Sequence, residues 1–267
     1  MSKCAYCSKE EKMTREHIIP KFLYDFQNSI SKSYVGWNEI AEKMIKGEGK
    51  VKDVCAECNN EKLGTLDGAA KEMLENANLL VHNYTKKTIE LRYDFDLLVR
   101  WLMKVSFNST RVDSAHSYMF EPYIPYMIDG KNRVLRSNIA VMAYFSAPQA
   151  IDKSNYKGLP FSNIADESEI VNPFFVRICY GHVTGAENYK LRMVIIGAIV
   201  FFLLIFDDFT LPGHAASAIR KFIKNNPNAI EVTPKIKAVV LRPGSYTWLD
   251  LYQHQIARNK IINSIDV

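Results

Sequence analysis

The chain has 267 residues, 48% hydrophobic and 12% aromatic, enough to bury a large core and too apolar for a disordered or fibrous protein. That length allows one large domain or two modest ones. A formal net charge of +5 suits a nucleic-acid partner but decides neither fold nor chemistry.

The first residues, Met1-Ser2-Lys3-Cys4, lack the apolar stretch of a secretory signal, and a cytoplasmic location is expected. Residues 1–67 hold four of the five cysteines and too few periodic apolar positions to fold without a staple. GAAKEMLENANLL (68–80) reads as a helix. DFDLLVRWLMKVSFNST (94–110) is a stronger one, with Leu97, Leu98, Trp101, Leu102 and Val105 on one face. Arg100, Lys104 and Arg111 on or just beyond it read as a solvated face, the alternative being one that meets DNA.

Strand candidates follow at 139–145, 174–183, 190–197, 198–206 and 236–241, with a turn at Glu187-Asn188 and a bend or bulge at Gly197. The run MVIIGAIVFFLLIF (193–206) has 14 residues, short of the roughly 17–25 a spanning helix needs. Its β-branched and aromatic content reads as buried strand, so no membrane is expected. Residues 214–226 and 246–265 read as amphipathic helices, with Trp248 and Tyr252 in the core. Cys179 is a small core residue. Residues 68–267 are thus expected to form an α+β domain with a mostly antiparallel sheet.

The chemistry gathers at the other end. Cys4-Ala-Tyr-Cys7 and Cys55-Ala-Glu-Cys58 are two C-x-x-C knuckles, and in a cytoplasmic chain that pattern points to metal rather than disulfides. Two knuckles complete a closed tetrahedral Zn²⁺ site with no open position for water, so the zinc would be structural. Between them lies Glu16-His17-Ile18-Ile19-Pro20-Lys21, and directly after the second comes Asn59-Asn60-Glu61-Lys62. A neutral imidazole suits a general base near physiological pH, which makes His17 the candidate. Glu16 is a hard oxygen donor for Mg²⁺ or Mn²⁺. Adjacent strand residues face opposite ways, so a bulge or strong twist is needed for both to serve one site.

In this order and context, Cys4, Cys7, Glu16, His17, Ile18, Pro20, Cys55, Cys58, Asn59 and Lys62 resemble the HNH endonucleases, in the branch with two C-x-x-C pairs around an E-H-I-I-P strand. The resemblance covers roughly residues 4–67 and implies a ββα-metal fold in which the zinc clamps a hairpin to the helix after Cys58. It further implies that Glu16 and Asn59 hold the catalytic cation while His17 is the base. Lys62 is then a phosphate contact or a solvated lysine, and Asn60 an orienting or DNA-contacting residue, a cap or plain surface.

The chain departs from the family's pattern twice. The stretch Gly49–Val54 lacks the asparagine whose carbonyl orients the histidine, leaving Asp53, a backbone carbonyl or the distant Asn38. The first ligand is glutamate where aspartate is common. The insertion from Gln27 to Gly49 is expected to be a DNA-contacting loop or a spacer.

The expected fold is therefore α+β: a zinc-stapled HNH module at 1–67 and a larger domain at 68–267. The expected function is metal-dependent hydrolysis of DNA phosphodiesters, with RNA as a second substrate. By analogy with similar proteins it extends to a bacterial or phage defence effector. Residues 68–267 would bind DNA, a second copy or a partner subunit. The competing expectation is a non-catalytic zinc module that binds nucleic acid or protein.

Overall fold

The computed structural model describes residues 2–30, 35–38, 43–111, 117–131, 138–150, 169–181, 189–207 and 210–253. The N-terminal part runs β1 (Met13–His17), α1 (Lys21–Ile30), β2 (Val35–Asn38), β3 (Lys43–Lys46) and β4 (Lys50–Cys55). β1 pairs antiparallel with β4, from Met13 opposite Cys55 to His17 opposite Lys50, and the register shifts between Thr14 and Glu16. That irregularity lies before Glu16 and does not bring Glu16 and His17 to one side, as serving a single site would require. Strands β2 and β3 pair with each other, so a hairpin occupies part of the Gln27–Gly49 insertion. Pro20, which has no N–H to donate, sits just before α1, and its carbonyl accepts from the amides of Leu23 and Tyr24.

A π-helical turn over Glu57–Leu63 runs without a break into α2 (Gly64–Asn76). The helix expected at 68–80 therefore begins at the second knuckle. It is over by Asn78, which adopts a left-handed φ of 56°. β5 (Asn83–Tyr84) and β6 (Ile89–Arg92) lead to α3 (Phe95–Thr110), whose first turn is capped by the Asp94 carboxylate accepting from Leu97 N–H at 3.0 Å. A 3₁₀ turn at Ser117–Tyr123 and α4 (Ile124–Asp129) follow.

The remaining elements are β7 (Ile139–Ala147), β8 (Gln149–Ala150), β9 (Ile170–Pro173), β10 (Val176–Gly181), β11 (Tyr189–Ile196), β12 (Ile199–Phe206), α5 (Pro212–Asn225), β13 (Ile230–Val232), β14 (Ala238–Leu241) and β15 (Pro243–Thr247). The main sheet is ordered β10-β11-β12-β7-β13, and β15 joins the same edge of β7 as β13. All its pairings are antiparallel except β15 with β7. The chain is thus mixed α and β, with mostly antiparallel strands.

β12 explains the apolar run. Ile199, Phe201, Leu203 and Ile205 enter one core, while Val200, Phe202, Leu204 and Phe206 enter the other. A strand covered on both faces has no polar positions to show, which is why its sequence reads as continuous hydrophobe. Gly197, at φ 53°, and Ala198 turn β11 into β12. Among the described residues, no helix is long and apolar enough to cross a membrane.

One core runs from Cys4 and Met13 through α2 and α3 to Leu241; the other lies on the far face of the sheet with Phe222 of α5 and Trp248. Three expectations are corrected. IKAVVL pairs with β6 instead of joining the main sheet. Helix 246–265 starts late: Tyr246 and Thr247 belong to β15, and the helical residues are 248–253, with 254–265 outside the described residues, as is the turn at Glu187-Asn188. Helix α3 has no solvated basic face, as the next subsection details.

Candidate functional site

Cys4, Cys7, Cys55 and Cys58 bring their sulfurs within 4.8 Å of one another, the one such metal-donor group among the described residues. Cys7 Sγ and Cys55 Sγ lie 3.6 Å apart. A tetrahedral ion with 2.3 Å bonds needs sulfurs about 3.8 Å apart, so the cluster fits Zn²⁺ closely. The local backbone makes the nest: Cys55 N–H points at Cys4 Sγ at 3.4 Å, Ser8 N–H closes onto Cys4 O at 2.9 Å, and Ser8 takes a left-handed φ of 60°. Burial raises the Cys58 thiol well above its ordinary value, and the neighbouring Cys55 and Cys7 add to it. At Cys4 burial works the same way, but the amides of Cys55, Cys7 and Tyr6 outweigh it and bring the thiol down to about 7. Three buried thiols and the partly exposed Cys7, drawn together, suit a dication that would replace their protons.

His17 ends β1, its side chain 18% exposed. Nε2 lies 2.9 Å from Glu48 Oε2, and the same carboxylate oxygen receives Lys50 Nζ at 2.8 Å. The hydrogen bonds from Lys50 and then from His17 hold the Glu48 carboxyl down at about 2, so it is ionised and only accepts. Nε2 therefore carries the hydrogen, which leaves Nδ1 of the neutral ring with the lone pair. The Tyr24 ring lies 5.9 Å from the imidazole, and its hydroxyl accepts Gly49 N–H at 3.0 Å, tying α1 to the residue after Glu48.

Glu16, next to His17, points the other way. It is 4% exposed, and its Oε1 accepts from Lys104 Nζ at 2.8 Å and from Asn108 Nδ2 at 3.0 Å. Lys104 is fully buried and also holds both oxygens of Asp67, at 2.9 and 2.8 Å. Burial works to lower the Lys104 pKa, but the charges and hydrogen bonds of Asp67 and Glu16 outweigh it and hold the ammonium above its ordinary value. Trp101 Nε1 donates to Asp67 Oδ1 at 3.0 Å. A hydrated cation finds no open carboxylate here, so Glu16 does not fit the ligand role the resemblance gives it.

Asn59 donates through Nδ2 to Thr14 Oγ1 at 2.8 Å and to Arg15 O at 3.2 Å, so the helix after Cys58 is tied to β1. Its side-chain carbonyl has no partner among the described residues and is a hard donor. Asn59 thus bonds to the strand that carries Glu16, but the two side chains meet different partners. Lys62 is bound at 2.9 Å to Asp129 and at 3.5 Å to Glu57, while Asn60 is exposed surface. Asp53 does not meet His17: it pairs with Arg111, whose side chain is 6% exposed.

Missed in the sequence were Glu48, which lies against His17, and Asn108, together with the inward contacts of Trp101 and Lys104 of α3 and of Arg111 just beyond it. Arg100 too is drawn inward, donating to Met127 O at 3.0 Å. No family model, curated protein or solved structure matches this chain.

Proposed function

We propose that this protein is a phosphodiester hydrolase of the HNH endonuclease type acting on DNA, with His17 as general base. The observation that carries the proposal is the part-buried His17 imidazole, fixed through Nε2 by the Glu48 carboxylate at 2.9 Å. A base needs a free lone pair on a ring that cannot turn away, and this pairing provides both. His17 Nδ1 takes a proton from water as its oxygen attacks phosphorus. The P–O bond to the leaving sugar oxygen breaks, that oxygen takes a proton from solvent, and Glu48 stabilises the imidazolium that forms.

Zn²⁺ fits the four thiolates and would clamp the N-terminal turn before β1 to the end of β4 and to the π-helical turn that leads into α2. Cys4, Cys7, Cys55 and Cys58 hold it, and Asn59 adds a second tie across the same junction. A catalytic Mg²⁺ or Mn²⁺ finds Asn59 as a donor but not Glu16. The steps above therefore belong to His17 and Glu48.

Supercoiled plasmid incubated with the full chain and Mg²⁺ or Mn²⁺ tests the proposal, with His17→Ala and EDTA in parallel. Nicking by the parent that is lost in His17→Ala is expected. No cleavage of DNA or RNA with either cation, by a protein that holds zinc, assigns the fold to a binding module instead.

A further inference from the structure

Helix α3 presents a line of polar side chains to the zinc-stapled part of the chain, at spacings that place them along one side of the helix. Trp101 and Lys104 meet Asp67 of α2; Lys104 and Asn108 meet Glu16 of β1; Asn108 accepts the Tyr6 hydroxyl at 2.6 Å; Arg111 meets Asp53 of β4. Asn108 Nδ2 makes one more contact, to the backbone carbonyl of His17 at 3.0 Å. The side chain of Glu16 and the main chain of His17 are thus held by the same amide.

We propose, resting on the nuclease proposal above, that Glu16 is a positioning residue paired with Lys104 and not a ligand of a catalytic cation, and that Lys104 and Asn108 fix the orientation of His17. The argument is one of charge and space. Mg²⁺ keeps several waters and requires near-octahedral oxygens at about 2.0–2.1 Å. Glu16 is 4% exposed, and an ammonium already sits 2.8 Å from its Oε1. A dication there must expel Lys104, which then keeps only Asp67 as a partner for a buried charge. Left in place, the pair anchors β1 from within. With Glu16 held inward, His17 on the same strand faces out, and the Asn108 bond fixes its carbonyl. A base displaced by about 1 Å loses on the order of a hundredfold in rate, so such anchoring matters to the reaction.

The test uses the full chain and four variants: Glu16→Gln, Lys104→Met, the double Glu16→Gln/Lys104→Met, and Asn108→Ala. Nicking is measured as kcat and KM across Mn²⁺ concentrations, with zinc content as the check on folding. Glutamine still accepts from Lys104 and Asn108, so Glu16→Gln should stay within about tenfold of the parent. Lys104→Met and Asn108→Ala should lose about ten- to hundredfold in kcat with KM unchanged. The double variant, with no stranded charge, should recover much of the Lys104→Met loss. Half-saturating Mn²⁺ should be the same throughout. A Glu16→Gln protein that needs more than ten times the Mn²⁺, beside a fully active Lys104→Met, overturns the proposal. Should Lys104→Met fail to hold zinc, the Glu16→Gln and Asn108→Ala arms decide alone. If the parent cleaves nothing, the nuclease proposal has failed, and the positioning claim is read from the His17 ring ¹⁵N resonances. Those shift in Asn108→Ala if α3 holds His17, and match the parent if it does not.

Discussion

Glu48 Oε2 and His17 Nε2 lie 2.9 Å apart, which gives the histidine the orienting partner that the sequence around β4 lacks. The partner comes from the residues just before β4, two positions from Lys50, which faces His17 across the hairpin. Glu48→Ala frees the ring to rotate and to change tautomer. The expected outcome is a fall in kcat of about ten- to hundredfold with little change in KM, since the loss is of general-base efficiency and not of binding. Plasmid nicking under saturating substrate measures it.

The same pair sets a pH dependence. Folding lowers the Glu48 carboxyl from 4.5 to about 2, chiefly through Lys50 and His17. A depressed carboxylate contributes stability that is fully present above its unfolded value and lost as pH falls through its folded value. The contribution of Glu48 is thus whole above pH 4.5 and gone below about pH 2. For a partly solvated pair about 1 kcal/mol is expected at neutral pH. Urea melts of the parent and Glu48→Gln should differ by that amount at pH 7 and converge on acidification. A constant difference from pH 7 to pH 2 contradicts the assignment.

Zinc should copurify at one ion per chain. Cys58→Ser removes a fully buried ligand and should abolish zinc binding, with protease cleavage appearing in the Gly47–Lys52 region as β4 loses its clamp. The main sheet should survive, because β7, β11 and β12 also bury residues in the second core, which contains none of the four cysteines. Metal analysis joined to limited proteolysis checks both halves of this outcome.

Lys104 supports the fold as well as the site. Removing it strands the buried Glu16 carboxylate and the partly exposed Asp67 without their cation, at a cost of about 3 kcal/mol. Thermal melts of Lys104→Met should show that loss near pH 7, and adding Glu16→Gln should return part of it.

The parts of this architecture legible in the sequence are those whose signal is local. Two C-x-x-C pairs announce a candidate metal-donor cluster in the sequence itself, and the four sulfurs do come together. The all-apolar β12 is too short to span a membrane and too rich in Ile, Val and Phe to be surface. Long-range polar pairing left no such trace. Lys104 looks like any solvated helix lysine until α2 folds Asp67 against it from 37 residues away, and Asn108 finds Glu16 at a separation of 92. Glu48 was hidden by the insertion, whose length conceals which acid reaches His17. At the C-terminal end the helical periodicity carried on upstream through Tyr246 and Thr247, where pairing with β7 prevails.

Chemical rescue tests the central claim most directly. His17→Gly should nick plasmid at least a hundredfold more slowly than the parent, and free imidazole should restore part of the rate, more so as pH rises through the imidazole pKa near 6.5. A His17→Gly protein as active as the parent, or a parent that cleaves no nucleic acid with Mg²⁺ or Mn²⁺, contradicts it.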